Sequence, residues 1–348
     1  MLKSIVVLAA VALLLDHVAP FSTRTIVQNP THQSRSFSRV LSAAKFDQPC
    51  TLELDTDPPI TDPDYKRFSN AIQHLEVSTQ TSPSTTITYL HTPPPTPPQP
   101  SKPILILLHG FDSSSLEYRR LLPLLSPHLL TYAVDIPGWG FGDLTLPSYS
   151  SLSKISGIKS FVKKLHPGKK IVFCGASLGG AIALNLSAIL RTPLILLDAQ
   201  GFTDGVGPQP PSFLLGFGVE ILKKRWLRKY ANILSYFDTK KYATDDAITI
   251  GCLHTRRPGW KAGILTFIES GGFTPTVDVQ RVADNKEPTL ILWGEDDEVL
   301  PKDFPRMFKE KIEHAEVKYL KECGHVPHLE KSEETKELIL DFINSLEQ

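Results

Sequence analysis

Apolar runs of strand length recur through the middle and end of this chain, each followed by a stretch with helical spacing. ILILLHG (104–110), LLTYAVD (129–135), KIVFCGA (170–176), PLILLDA (193–199) and TLILWGE (289–295) are nearly continuous in Val, Ile and Leu where they are apolar. Strands covered on both faces read this way, and helical crossovers between them place them in parallel. A further run, VKYL (317–320), precedes the final helical stretch. Upstream, LEVSTQTSPSTTITYLH reads as two Thr-rich strands about a turn that would open the sheet. The tract HTPPPTPPQPSKP joins neither ladder nor helix, because its prolines lack N–H groups and favour extended polyproline geometry. It is expected to be a loop between strands.

Between the strands at 193–199 and 289–295 the chain is far longer than one crossover helix needs, so 202–286 is expected to hold an inserted helical cap. PPSFLLGFGVEILKKRWLRKYANILSYF has apolar positions at helical spacing with a basic face, and GWKAGILTFIESGG predicts a further helix. Phe213, Leu214, Leu215, Phe217, Trp226 and Leu227 are read as an apolar inner face suited to a lipophilic acyl chain or isoprenoid. Lys223, Lys224, Arg225, Arg228 and Lys229 are read as a solvated outer face, so contact with a membrane surface is not expected. Trp260 is read as a packing residue. No internal repeat is present, and the core is assigned to 47–201 and 287–348.

Composition changes this picture mainly at the N-terminus. Lys plus Arg and Asp plus Glu each number 37, so no net charge draws the protein to nucleic acid, which is not expected as a partner. Cys50, Cys174, Cys252 and Cys323 are scattered, without a CxxC pair or a metal-ligand cluster, and Cys174 reads as a small buried hydrophobe; no metal or cofactor is expected. Lys3 precedes the apolar run 5–15, too short to span a bilayer but suited to a signal peptide over 1–20. Residues 21–46 are rich in Ser, Thr and Arg and contain no acidic residue, as in an organellar transit peptide. The pair resembles the bipartite leaders of algae with complex plastids, where an aromatic residue, here Phe21, opens the transit portion. A plastid address is therefore expected. No clear A-x-A stands near Pro20, and secretion is the alternative.

The candidate chemistry centres on Gly175-Ala176-Ser177-Leu178-Gly179, placed directly after a strand pattern and before a helix pattern. Strand-turn-helix is the setting a G-x-S-x-G elbow requires, since small residues must flank a serine held on a strained turn. The bland alternative is a glycine-rich turn at a helix start. A serine nucleophile needs a base within hydrogen-bond reach, and that base needs a carboxylate to orient it. His325 lies on the loop between the last strand and the last helix, whereas His328 would begin that helix and pack or cap it. Acidic residues cluster at Glu295, Asp296, Asp297 and Glu298, and Asp198 ends the preceding strand.

The order Ser177, acid, His325, with HGF after the first long strand and D-x-P-G-x-G from Asp135, resembles the α/β-hydrolase superfamily from about residue 75 to the C-terminus. The resemblance implies a mainly parallel eight-stranded sheet with helices on both faces and a helical cap. It implies Asp297 as the acid, three residues after the glycine of W-G-x-x-D, with Asp296 and Asp198 as alternatives. It implies an oxyanion hole from the N–H groups of Phe111 and Leu178, while His109 and Asp135 are read as structural. Serine at the elbow argues against epoxide opening or dehalogenation. The expected activity is hydrolysis of an ester, thioester or amide, or of an activated carbon-carbon bond, in a small lipophilic molecule. The rivals are a receptor on the same fold with slow or no turnover, and a cofactor-free oxidation or lyase reaction on the same triad.

Overall fold

The computed structural model describes residues 56, 58–92, 102–144, 146, 148–207 and 211–347. The leader segments 1–20 and 21–46 lie outside the described residues, as does most of the proline tract. Eight strands form one sheet: β1 (Gln73–Val77), β2 (Thr85–His91), β3 (Ile104–Leu108), β4 (Thr131–Val134), β5 (Ile171–Ala176), β6 (Leu194–Leu197), β7 (Thr289–Gly294) and β8 (Glu316–Leu320). Their spatial order is β1-β2-β4-β3-β5-β6-β7-β8. β1, which holds no threonine, pairs antiparallel with the Thr-rich β2, and β2 is antiparallel to β4, while every pair from β4 through β8 is parallel.

The apolar runs alternate between the two faces of this sheet. Ile104, Ile106, Leu108, Ile171, Phe173, Leu194, Leu196, Ile291 and Trp293 belong to one core. Leu105, Leu107, Val172, Cys174, Ile195, Leu197, Leu290 and Leu292 belong to the other. Successive side chains of a strand point to opposite faces, so a run apolar at every position needs a hydrophobic layer on each side. α1 (Pro63–Phe68), α2 (Leu122–Leu125) and, from the C-terminus, α13 (Ser332–Ser345) supply one layer through Phe68, Leu122, Leu125, Ile339, Phe342 and Ile343. α3 (Ser151–Leu165) and α4 (Leu178–Leu190) supply the other through Ile158, Phe161, Ile182 and Leu186. Side chains fix the helix starts: Asp62 accepts from Tyr65 N at 2.9 Å and Ser150 from Ser153 N at 3.3 Å.

After β6 come α5 (Ser212–Ile221), α6 (Arg225–Ser235), α7 (Thr239–Tyr242), α8 (Asp245–Cys252), α9 (Trp260–Glu269) and α10 (Pro275–Asn285). The long amphipathic stretch is thus two helices, broken at 222–224, where Leu222 and Lys224 N–H groups return to Val219 and Ile221 carbonyls. The expected cap range 202–286 also takes in α10, which packs on the core instead. Asn185 Nδ2 on α4 donates to Asp278 Oδ2 at 2.8 Å, Asn285 Nδ2 donates to Ala188 O at 3.0 Å, and Val279 and Val282 are buried against α4's layer. α10 is the crossover helix that returns the chain to β7. Its amphipathic pattern in the sequence is indistinguishable from that of the helices before it. α11 (Phe304–Lys311), α12 (Pro327–Glu330) and α13 complete the chain around β8.

The turn from β5 into α4 is packed to the limit. A Cβ on Gly179 would lie 2.2 Å from Leu108 O and 2.5 Å from His109 O, and one on Gly175 would lie 2.3 Å from Gly179 O. A Cβ on Gly180 would meet Ala199 Cβ at 2.3 Å. The Gly179 contacts are to backbone and cannot be relieved by a rotamer change. Gly179→Ala is therefore expected to lose about 3 kcal/mol of stability or more, since overpacking a tight site forces the backbone to move. Thermal melting checks this, and a variant melting with the wild type would mean that strand and helix do not meet this closely.

Candidate active site

Ser177 sits between β5 and α4 at φ 51° and ψ −121°, a conformation that side-chain-bearing residues rarely adopt. Hydrogen bonds hold it there: Ser177 N donates to Leu197 O at 3.0 Å, while Ser177 O accepts from Gly180 N at 3.0 Å and Gln200 N at 2.9 Å. Leu178 is the first residue of α4, so its N–H has no carbonyl a turn earlier within the helix to bond. On the facing loop after β3, Gly110 packs so closely that a Cβ there would lie 3.4 Å from Ser177 Cβ. Phe111 follows directly and lines the same cavity as Ser177, Leu178 and His325.

His325 follows β8 on the loop before α12, where His325 N donates to Ser235 O of α6 at 2.8 Å. Its Nδ1 lies 3.0 Å from Asp297 Oδ2. Asp297 comes from the loop after β7, and its Oδ1 accepts from Val299 N at 2.7 Å and Leu300 N at 3.1 Å. Burial opposes a charge on Asp297, but His325 and those N–H groups outweigh it and hold the carboxyl below the usual carboxylate range. Asp296, the neighbouring candidate, is half-buried, and its backbone N–H binds Cys323 O at 3.0 Å.

Asp198 is nearer the centre than its place as an alternative suggests. It is wholly buried at φ 40°, and its Oδ1 accepts from Gly294 N at 2.9 Å, while its Oδ2 has no hydrogen-bond partner. Ligand-type atoms of Asp198, Asp297 and His325 lie within 4.8 Å of one another, a donor set of the composition that binds metals. Here Asp297 and His325 already use their facing atoms on each other. Burial first, and then the adjacent Asp297 charge, push the Asp198 carboxyl well above its ordinary range. The same surroundings thus move the two carboxyls in opposite directions, Asp297 down and Asp198 up.

The residue after Phe111 is an anchor that the sequence did not single out. Asp112 is buried at φ 48°; its Oδ1 accepts from His254 Nε2 at 2.9 Å and Trp260 Nε1 at 2.6 Å, and its Oδ2 pairs with Arg228. Burial alone would raise its carboxyl, but Arg228 and the two ring N–H groups hold it down at about 2. All three donors come from the helices between β6 and β7, so those helices are bonded to the loop carrying Phe111. Trp260 is buried as expected, yet it also supplies one of these bonds. The HGFD string showed an acidic residue beside the candidate oxyanion donor, but nothing in it told which distant residues would reach it.

The remaining motif residues shape the surroundings. His109 Nε2 accepts from Ile136 N at 3.0 Å and its Nδ1 lies 2.8 Å from Gly110 O, tying the loops after β3 and β4 together. Asp135 accepts from Ser115 N at 2.6 Å and Phe141 N at 3.0 Å. His328 is buried in α12 with Nε2 3.0 Å from Glu117 Oε1, whose oxygens also receive Gly110 N at 3.2–3.3 Å. The cavity over Ser177 measures about 330 Å³, toward the small end for ligand pockets. Val206, Leu222, Leu227, Phe267, Phe273 and Leu300 give it apolar walls.

A sheet of this order, with the strained serine turn at its centre, is the architecture of the α/β hydrolases. The chain belongs to the alpha/beta hydrolase family, whose profile matches residues 105–338. It is similar to the Arabidopsis thaliana alpha/beta hydrolase domain-containing protein VTE7, with 31% identity over 68% of this chain and 73% of the relative. Human monoacylglycerol lipase ABHD6 is 26% identical over 70% of this chain and 76% of its own length. The 2-hydroxy-6-oxo-6-(2'-aminophenyl)hexa-2,4-dienoic acid hydrolase of Metapseudomonas resinovorans is 26% identical over 69% of this chain and 83% of its own. Among solved structures, a thermophilic esterase from Thermogutta terrifontis superposes with a TM-score of 0.65 at 18% identity, over 79% of this chain and 100% of that one, a likeness of fold.

The two buried carboxylates make opposite predictions. Asp297→Asn is expected to lower kcat by roughly 10³–10⁴, because an amide neither orients nor balances a charged imidazole. Asp198→Asn removes the carboxyl that burial pushes up and is expected to keep kcat within about fivefold of wild type. A carboxyl whose folded pKa is raised contributes its stability below the unfolded value near 3.8, and that stability is lost as pH rises toward the folded pKa. Asp198→Asn is therefore expected to match the wild type at pH 3–4 and to exceed it in melting temperature at pH 8. The reverse pattern of kcat losses would exchange the two roles.

Proposed function

We propose that this chain is a serine hydrolase of neutral, lipophilic esters, with Ser177 as nucleophile, His325 as general base and Asp297 as its orienting acid. Ser177 Oγ attacks the carbonyl carbon while His325 takes its proton, and Asp297 stabilises the imidazolium that forms. The negative oxygen is received by the N–H groups of Phe111 and Leu178, donors worth about 3–4 kcal/mol each in comparable sites. Collapse of the tetrahedral species expels the alcohol, which takes the proton from His325. A water molecule, deprotonated by the same histidine, then releases the acid from the acyl-serine.

The observation that carries the substrate class is the state of the cations around the cavity. Arg228 pairs with Asp112, and Arg119 lies 3.4 Å from Asp62, so both arginines lining the cavity among the described residues already have a carboxylate partner. An anionic substrate would find no uncompensated cation there. That favours a neutral ester, as in the lipase relative's name, over an acid like the dienoic acid of the bacterial relative's name. The apolar walls favour an acyl chain or isoprenoid over a polar group.

A fluorophosphonate probe is expected to label the wild type and not Ser177→Ala; no labelling of either protein would overturn the nucleophile assignment. Multiple turnovers are expected on neutral p-nitrophenyl acyl esters, with at least tenfold lower kcat/KM when the acyl chain ends in a carboxylate. One turnover followed by arrest would instead identify a receptor-like protein.

The plastid address belongs to the same reading, supported by the composition of residues 1–46 and by the plant origin of the relative at 31% identity. Residues 1–46 fused to a fluorescent protein are expected to deliver it to the plastid of an alga with complex plastids, coincident with chlorophyll emission. Fluorescence appearing in the medium would favour secretion.

A further inference from the structure

α6 has two faces of different use. Leu227, Arg228, Ala231, Asn232 and Ser235 line the cavity. Trp226, Tyr230 and Ile233, at i, i+4 and i+7, form a stripe turned away from it, with 61, 47 and 43% of their surfaces exposed. Phe237, just beyond the helix end, is 48% exposed, and Phe217 on α5 is 68% exposed. The sequence pattern assigned apolar residues inward and basic residues outward, yet the outward face carries both. Large apolar side chains gathered on one surface are unfavourable in water and mark a contact.

The charges around this stripe indicate what it contacts. Lys223, Lys224, Arg225, Lys229, Lys240 and Lys241 are exposed there, against Glu220, Asp238 and Asp245, while beyond the helix end the groove lined by Phe237 and Lys241 also holds Glu322, Glu330, Glu333 and Glu334. Of the first three acids, Glu220 pairs with Lys223 at 3.3 Å and Asp245 with Arg225 at 2.8 Å, while Asp238 accepts from the backbone N–H of Lys241 at 3.0 Å. Lys224, Lys229 and Lys240 form no ion pair among the described residues. Aromatic side chains flanked by uncompensated lysines match a bilayer interface, where rings sit at the headgroup level and lysines meet anionic phosphates. No helix among the described residues is long and apolar enough to cross a membrane, so the contact lies at its surface.

We infer that α6 and the adjoining part of α5 dock on an anionic lipid bilayer, placing one helix thickness between the lipid and the cavity over Ser177. The docking rests on exposure and charge alone; that the cavity draws a lipophilic substrate from the bilayer rests on the proposed function.

Trp226 provides the test, because Trp139, Trp260 and Trp293 are all buried. The full chain is mixed with vesicles of phosphatidylcholine alone or with 30% phosphatidylglycerol, about a third anionic lipid to raise the surface charge. Emission is expected to shift to the blue and to be quenched by brominated lipid only with the anionic vesicles, and the shift is expected to vanish in Trp226→Phe. Co-sedimentation is expected to fall about tenfold or more in Trp226→Ser/Tyr230→Ser and in Lys224→Glu/Lys229→Glu. Residues 1–46 are common to all these proteins, so the differences report the helix. Hydrolysis of a soluble p-nitrophenyl ester is expected to stay at the wild-type rate in both double variants, which also shows that they fold. Vesicle binding equal to wild type in both, or an unshifted Trp226, would overturn the inference. So would a dimer in sedimentation velocity that Trp226→Ser/Tyr230→Ser dissolves, since the stripe would then join two copies. Vesicle binding without ester hydrolysis would leave the docking standing and remove the proposed function.

Discussion

The close crossing of β5, α4 and the loop after β3 governs the rest of this molecule. Gly175, Gly179 and Gly180 leave no room for a Cβ at that crossing. The backbone must therefore turn sharply at Ser177, and it does so at φ 51°. The strain is carried by ordinary hydrogen bonds from β6, Gln200 and Gly180. Because α4 starts at once, its first N–H has no partner within the helix. The loop after β3 is pressed against the turn, so Gly110 and Phe111 stand beside Ser177 at the cavity. One steric condition thus presents the hydroxyl and positions its neighbours together.

Charge is distributed around that point by burial. Two carboxyls and an imidazole share a small volume, where desolvation opposes charge on both acids. His325 and two N–H groups face Asp297 and hold its carboxyl down, whereas Asp198 has a single N–H and an unpartnered oxygen, and burial pushes its carboxyl up. A second buried carboxylate, Asp112, is stabilised from a different direction. Its partners Arg228, His254 and Trp260 belong to the helices between β6 and β7, so the loop bearing Phe111 is bonded to them. The same bonds give Arg228, where it lines the cavity, a carboxylate partner. α6 then has a pocket on one side and an aromatic and basic stripe on the other, which makes it the element through which surroundings and site are connected.

The sequence by itself determined a good deal. Continuous Val, Ile and Leu runs separated by helical patterns left few arrangements other than a parallel sheet covered on both faces, and strands at 104–108, 171–176 and 289–294 appear where those runs lie. The elbow was legible because its glycines must be adjacent in sequence to do their steric work. Four features required the tertiary structure. α10 carries the same amphipathic pattern as the helices before it, and only its bonds to α4 assign it to the core. The side of α6 on which Trp226 and Tyr230 fall depends on where the neighbouring helices pack, which helical spacing does not specify. The Asp112 anchor joins positions more than 100 residues apart in the chain, and the division of charge between Asp198 and Asp297 depends on which N–H groups fold toward each. Local spacing records what a turn or strand needs from its own neighbours; contacts between distant segments, and the desolvation they impose, exist only once the chain has closed.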